Sequence, residues 1–163
     1  MHLLDANTFI EAKNTYYSFG VASGFWQWLE EAHGRGLVAS VPAVRDELQG
    51  QQDELAQWSS SLPAGFWLPE TASTVASLQH LAQWAMAPGH AYTPAARATF
   101  LSSADYRLIA AAHAGGHTVV TREQSAPDSK KNIKIPDACI AGRVPVSDPF
   151  TFYATAGLKL VQP

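Results

Sequence analysis

The stretch Leu3-Leu4-Asp5-Ala6-Asn7-Thr8-Phe9-Ile10 decides how the rest of the chain is read. After His2, a short apolar run ends in an acid and passes at once into Asn-Thr and a second apolar run. This is the pattern of a buried strand, a tight turn and a helix start. Asp5 then falls at the carboxyl end of the strand, the edge at which ligands and catalytic groups gather in open α/β sheets. The plainer reading of Asp5 is a loop acid, or an N-cap for a helix beginning near Thr8. Other acids meeting at the same edge would favour chemistry.

Working outward, helical patterns are expected from Thr8 to about Asn14, from Gly20 to His33, from Pro42 through Leu48, from about Gln52 to Ser59, from Thr71 to Met86, over Pro94 to Leu101 and from Tyr106 to Ala114. Proline near the first helical position and glycine just past the last one mark several of these boundaries. Buried strands are expected at Leu37–Ser40 and Thr118–Thr121, with a further strand over Ile133-Lys134-Ile135 and a turn or short helix over Pro136–Cys139. The tail beyond gives no clear pattern. Strands separated by helices imply an α/β fold whose small, mostly parallel sheet is covered on both faces.

At 163 residues the chain fits one domain spanning 1–163 with a single core. Hydrophobic residues at 47% and charged residues at 15% exclude a disordered chain. No apolar run approaches the roughly eighteen residues of a membrane span, and the N-terminus lacks the basic and apolar regions of a secretory leader. A cytoplasmic location away from any membrane is therefore expected. Cys139 is the only cysteine, which rules out an internal disulfide. The net charge of -3 argues against a protein that coats nucleic acid through a basic surface. An acidic protein can still act on phosphates through a metal. Arg122, Lys130, Lys131, Lys134 and Arg143 cluster in the last third, where they are either a phosphate-facing side or a solvated loop.

Helical geometry sorts the acids. At about 100° per residue, Glu47 lies within roughly 60° of Val44 and adjoins Leu48, on the rim of a buried stripe. Asp46 points to nearly the opposite face and is expected to be exposed and away from any site. Asp105 has Leu108 and Ile109 at i+3 and i+4, so it sits at the amino end of an apolar stripe, where the helix dipole alone also favours an acid. Glu123 stands just past a strand, as Asp5 does. If Asp5, Glu47, Asp105 and Glu123 share one sheet edge, their like charges need neutralising, and Mg²⁺ or Mn²⁺ with oxygen ligands is the natural answer. Asn7 is a second-rank candidate, as a donor to a ligating carboxylate or as a helix cap, and Thr121 is another. Asp137 follows an expected strand but is equally an ordinary helix start. His113 and His117 have ligand spacing, yet Gly115-Gly116 breaks the helix between them, so zinc is not expected.

The order of Leu3-Leu4-Asp5-Ala6-Asn7-Thr8, Val41-Pro42 to Glu47-Leu48, Ala104-Asp105 opening an alanine-rich helix, and Val119-Val120-Thr121-Arg122-Glu123 resembles the PIN-domain family. It is similar in particular to a bacterial PIN-like subfamily that shares the Leu-Asp-Ala-Asn-Thr-Phe-Ile opening and a late segment like Ile135-Pro136-Asp137-Ala138-Cys139. The resemblance covers nearly the whole chain and implies a three-layer α/β/α sandwich. It also implies a metal-dependent endoribonuclease, commonly the toxin of a toxin–antitoxin pair. Its acids fall on Asp5, Glu47, Asp105 and Glu123, which would hold Mg²⁺ or Mn²⁺. Many PIN domains carry Asp at the last position; this chain keeps Thr121 and has Glu123, whose longer side chain could shift a metal contact. The implied partners are an RNA substrate and a cognate antitoxin protein, and a homodimer is left open.

Two other readings compete. One is a haloacid-dehalogenase-like phosphatase with Asp5 as covalent nucleophile, suggested by Asp5-Ala6-Asn7-Thr8, with Asn7 in place of the expected acid counting against it. The other is a non-catalytic binding module that uses its aromatic surface, since the chain has five tryptophans. Trp is more often core than hot spot.

Overall fold

Four short strands, β1 (His2–Leu4), β2 (Val38–Ala39), β3 (Thr118–Val120) and β4 (Val146–Ser147), form one all-parallel sheet in the order β2-β1-β3-β4 in the computed structural model, which describes residues 1–160. Leu3 lies opposite Ala39 on one side and Val119 on the other, and Leu4 opposite Val120. Leu3, Leu4, Val38, Ala39, Val119 and Val120 are all fully buried. An apolar run with no polar alternation is what a parallel strand covered on both faces requires.

The covering helices among the described residues are α1 (Ala6–Glu11), α2 (Ser23–Gly34), α3 (Pro42–Gln49), α4 (Glu54–Ser61), α5 (Ala72–Met86), α6 (Pro94–Ser102), α7 (Ala104–Gly115), α8 (Ile135–Gly142) and α9 (Pro149–Thr155). Their starts follow local chemistry. The side chains of Asp53, Thr71, Thr93, Ser103 and Asp148 accept backbone N–H bonds at the starts of α4, α5, α6, α7 and α9. Proline opens α3, α6, α8 and α9, where its missing N–H has no intrahelical partner to lose. A π-helical turn, Ala12–Tyr16, extends α1. The tryptophans are mainly core: Trp26, Trp28, Trp58 and Trp67 are buried and Trp84 is half-buried. Phe19 stacks on Trp26 and Tyr17 on Phe25, each pair with centroids 4.2 Å apart. No helix among the described residues is long and apolar enough to cross a membrane.

Three expectations are corrected. The first helix begins at Ala6, directly after Asp5, rather than near Thr8. Ile133-Lys134-Ile135 is not a strand: Lys134 is the residue just before α8, and the Ile135 N–H goes to the Glu123 carboxylate at 2.8 Å instead of to a sheet neighbour. The alternation of Ile, Lys and Ile imitates a strand, but Pro136 just behind it belongs to a first helical turn. Within the described residues, the tail also forms β4 and α9. Pro145 masks β4, yet β4 is an edge strand where a missing donor is tolerated. There the Pro145 carbonyl accepts from the Val119 N–H at 2.9 Å.

Gly116 ends α7 with φ +64°, a conformation that costs a side chain with a Cβ even where there is open space around it. Gly116→Ala is therefore expected to cost about 1 kcal/mol, or a melting temperature about 2–4 °C lower, read by thermal denaturation.

Candidate active site

The carboxyl ends of β1 and β3 are tied together by side chains. Asp5, 1% exposed, continues the ladder by donating its N–H to the Val120 carbonyl at 3.2 Å. One carboxylate oxygen accepts the Thr8 N–H and caps α1; the other accepts the Thr121 hydroxyl, each at 2.6 Å. The Thr121 oxygen in turn accepts the Glu123 N–H at 3.1 Å. Ser40, past the end of β2, donates to the Leu4 carbonyl at 2.7 Å and steadies the same corner. The N-cap reading of Asp5 is thus correct, and it coexists with a place at the strand end. Burial raises the Asp5 pKa, against the Thr121 and Thr8 hydrogen bonds, and the charge of Glu123 raises it further.

Asp105 stands in the first turn of α7, which Ser103 caps by accepting the Tyr106 N–H at 3.2 Å. Its pKa is pushed up to about 7, first by burial and then by the charges of Asp5, Glu123 and Glu47, while Lys134 works the other way. Among the described residues no hydrogen bond offsets that rise. Glu47 is exposed on α3, and the atoms packed around its carboxyl raise its pKa. Glu123 accepts the Ile135 N–H and, at 3.3 Å, the Lys134 ammonium. Three acids therefore act electrostatically on Asp105, two from strand ends and one from α3.

A cleft of about 450 Å³ opens beside this cluster, with Ala6, Asn7, Glu47 and Asp105 in its walls. Asn7 is exposed there and does not cap α1; Asp5 does. Asp46 is exposed as expected, but it lines the same cleft and pairs with Arg45 at 3.0 Å, so it is not remote from the site. Asp137 is turned away into the loop ahead of α8: its oxygens accept the Ser125 hydroxyl and, at 2.9 Å, the Ala126 N–H. The cations are dispersed. Arg122 pairs with Glu11 at 2.9 Å and lies over Phe150, Lys134 pairs with Glu123, and Lys130 and Lys131 are exposed on the intervening loop. His113 contacts the Ser77 hydroxyl at 2.7 Å. Arg107, which no motif singles out, is the cation in the cleft wall.

Among the described residues, no three His, Cys, Asp or Glu side chains stand close enough to hold one ion directly. The four acids nonetheless offer carboxylate oxygens, the chemistry that hard divalent cations select. Mg²⁺ characteristically binds through one or two carboxylates and keeps several waters. The cluster fits an ion held in that way.

A family model described as a domain of unknown function (DUF4411) matches residues 2–160. Searches among curated proteins and among solved structures return no match.

Proposed function

The chain belongs to the DUF4411 family, and we propose that it is a PIN-like, Mg²⁺- or Mn²⁺-dependent endoribonuclease, the toxin of a cytoplasmic toxin–antitoxin pair. The observation that supports this reading is the Asp105 carboxyl, set with Glu47 in the wall of one cleft, whose pKa is pushed up to about 7 first by burial and then by the charges of Asp5, Glu123 and Glu47. Such a concentration of like charge is costly unless it serves to hold a cation.

Asp105 and Glu47, at the cleft, would hold the ion, with Asp5 and Glu123 behind them. When bound, a divalent ion of this kind lowers the pKa of water and stabilises negative charge on phosphate oxygens. The chain's own residues supply position. Thr8 and Thr121 each bond one Asp5 oxygen and so fix the carboxylate's orientation. The Thr121 oxygen also holds the Glu123 backbone, so Asp5 and Glu123 are placed by one hydroxyl. Asn7, in the cleft wall, can donate its amide to a carboxylate or to a water at the cluster. No covalent nucleophile is needed, and Asp5, almost wholly buried, is poorly placed to be one.

The test is cleavage of single-stranded RNA by the purified protein. Cutting is expected with added Mg²⁺ or Mn²⁺ and is expected to stop with chelator. Metal-independent cutting, or equal cutting by Asp5→Asn and Asp105→Asn variants, would refute the reading.

A further inference from the structure

A second cavity of about 320 Å³ adjoins the acidic cleft between α3 and α7, and nothing in the catalytic reading uses it. Ala43, Asp46 and Arg107 line both, so the two spaces share a wall. The floor of the second is apolar, built from Val41, Pro42, Leu68 and Ala111. Its size falls within the roughly 300–1,000 Å³ of small-molecule sites.

The shared wall carries one cation. Arg107 is the only basic residue among those lining either space within the described residues, and it pairs with Glu70 at the pocket rim. Both partners are substantially exposed, at 48% and 43%, so the pair is weakly held and the guanidinium can exchange its carboxylate for a phosphate. Glu70 would then be left as a free acceptor beside an apolar slot, with Asp46 on the other wall.

Resting on the ribonuclease reading, we propose that this pocket is a nucleobase subsite in which Arg107 holds the phosphate next to the scissile one and the adjoining base lies on Val41, Leu68 and Ala111. The acceptors at its rim select bases that carry an exocyclic amino group, because a carboxylate accepts such N–H donors. Guanine, with two adjacent donors on one edge, matches a carboxylate best, and uracil matches least.

The test uses the whole chain with GMP and UMP as probes, in the absence of metal, followed by methyl NMR at Val41, Leu68 and Ala111. GMP is expected to shift these signals saturably and to bind at least tenfold more tightly than UMP. Ala111→Phe, which fills the pocket, should abolish the shifts. Arg107→Gln, on an exposed side chain that leaves the core intact, should weaken GMP binding about tenfold. Absence of GMP shifts in the parent, equal affinity for GMP and UMP, or undiminished GMP affinity in Arg107→Gln would overturn the proposal. Because the readout needs no catalysis, the two readings fail separately. Metal-dependent RNA cleavage without GMP binding removes the subsite alone, and GMP binding without cleavage removes the ribonuclease, and with it the scissile-phosphate register, while leaving a guanine-nucleotide pocket.

Discussion

Asp105→Asn is expected to cut RNA at least about 100-fold more slowly than the parent, and yet to melt at a higher temperature when metal is absent. The first effect follows, on the proposed function, from removing a charge that the cluster presents to the ion. Loss of one preorganised electrostatic group at a reacting phosphate or carbonyl is typically worth about 10²–10³ in rate. The second follows from the Asp105 pKa, about 7 in the fold against 3.8 for the free side chain. Between those values the folded protein holds a proton that the unfolded chain has lost. Stability therefore falls as pH rises from about 4 to about 7 and stays at its lower level above. Asn cannot ionise, so the variant escapes that fall. Each pH unit across the window is worth about 1.4 kcal/mol at most. Allowing for solvent at the half-buried carboxyl, the gain above pH 7 is on the order of 2 kcal/mol, or roughly 4–8 °C. Melting curves of parent and variant should therefore coincide near pH 4 and separate towards pH 8. Parallel curves across the whole range would show that Asp105 carries no such strain.

Metal should reverse that ranking. An ion that binds only the folded state, at about 100 times its dissociation constant, adds roughly 2.7 kcal/mol, and each kcal/mol moves the melting temperature of a domain this size by about 2–4 °C. Saturating Mn²⁺ is therefore expected to raise the parent by roughly 5–11 °C and to leave Asp105→Asn nearly unmoved. Asp5→Asn should also lose most of the rise. Its metal-free stability should stay close to the parent's, because Asn can still cap α1 and the relief of a buried charge offsets the weakened bond to Thr121. Glu31→Gln is the suitable control: Glu31 is exposed on α2 and lies outside the cleft wall, whereas Asp46 lines it. An equal Mn²⁺ response in all four proteins would place the metal elsewhere.

The acids of this candidate site stand out in the sequence because they lie at element boundaries or on the rim of an apolar stripe. Asp5 and Glu123 follow apolar runs, Asp105 precedes an Ala-rich stripe, and Glu47 sits at the rim of one; boundaries and stripes are written in local periodicity. Long-range pairing is not. Nothing in Ile133–Ile135 announces that the Ile135 N–H will find Glu123 from another segment, so the helix start passed for a strand. Asp137 could not be sorted for the same reason, since its partners Ser125 and Ala126 are placed by the fold of the loop. Arg107 carries no local mark, because its position becomes informative only when α7 is set beside α3. The α/β class was readable because buried parallel strands give apolar runs, helices give stripes, and the two alternate. β4 escaped because an edge strand of two residues behind a proline has too little pattern to detect.

The central position of β1 also sets a timetable. β1 is made before either neighbour, and its partner β3 follows 116 residues later, the separation spanned by the Asp5–Thr121 hydrogen bond. At about 5–20 residues per second, the first strand waits on the order of 6–23 s for that partner to be synthesised. Two of the acids are positioned only by this late closure, since Thr121 orients Asp5 and holds the Glu123 backbone. A nascent chain at the ribosome, surrounded by RNA, thus carries its acids apart for most of its synthesis, and they come together only when the last third of the chain folds back onto the first strand.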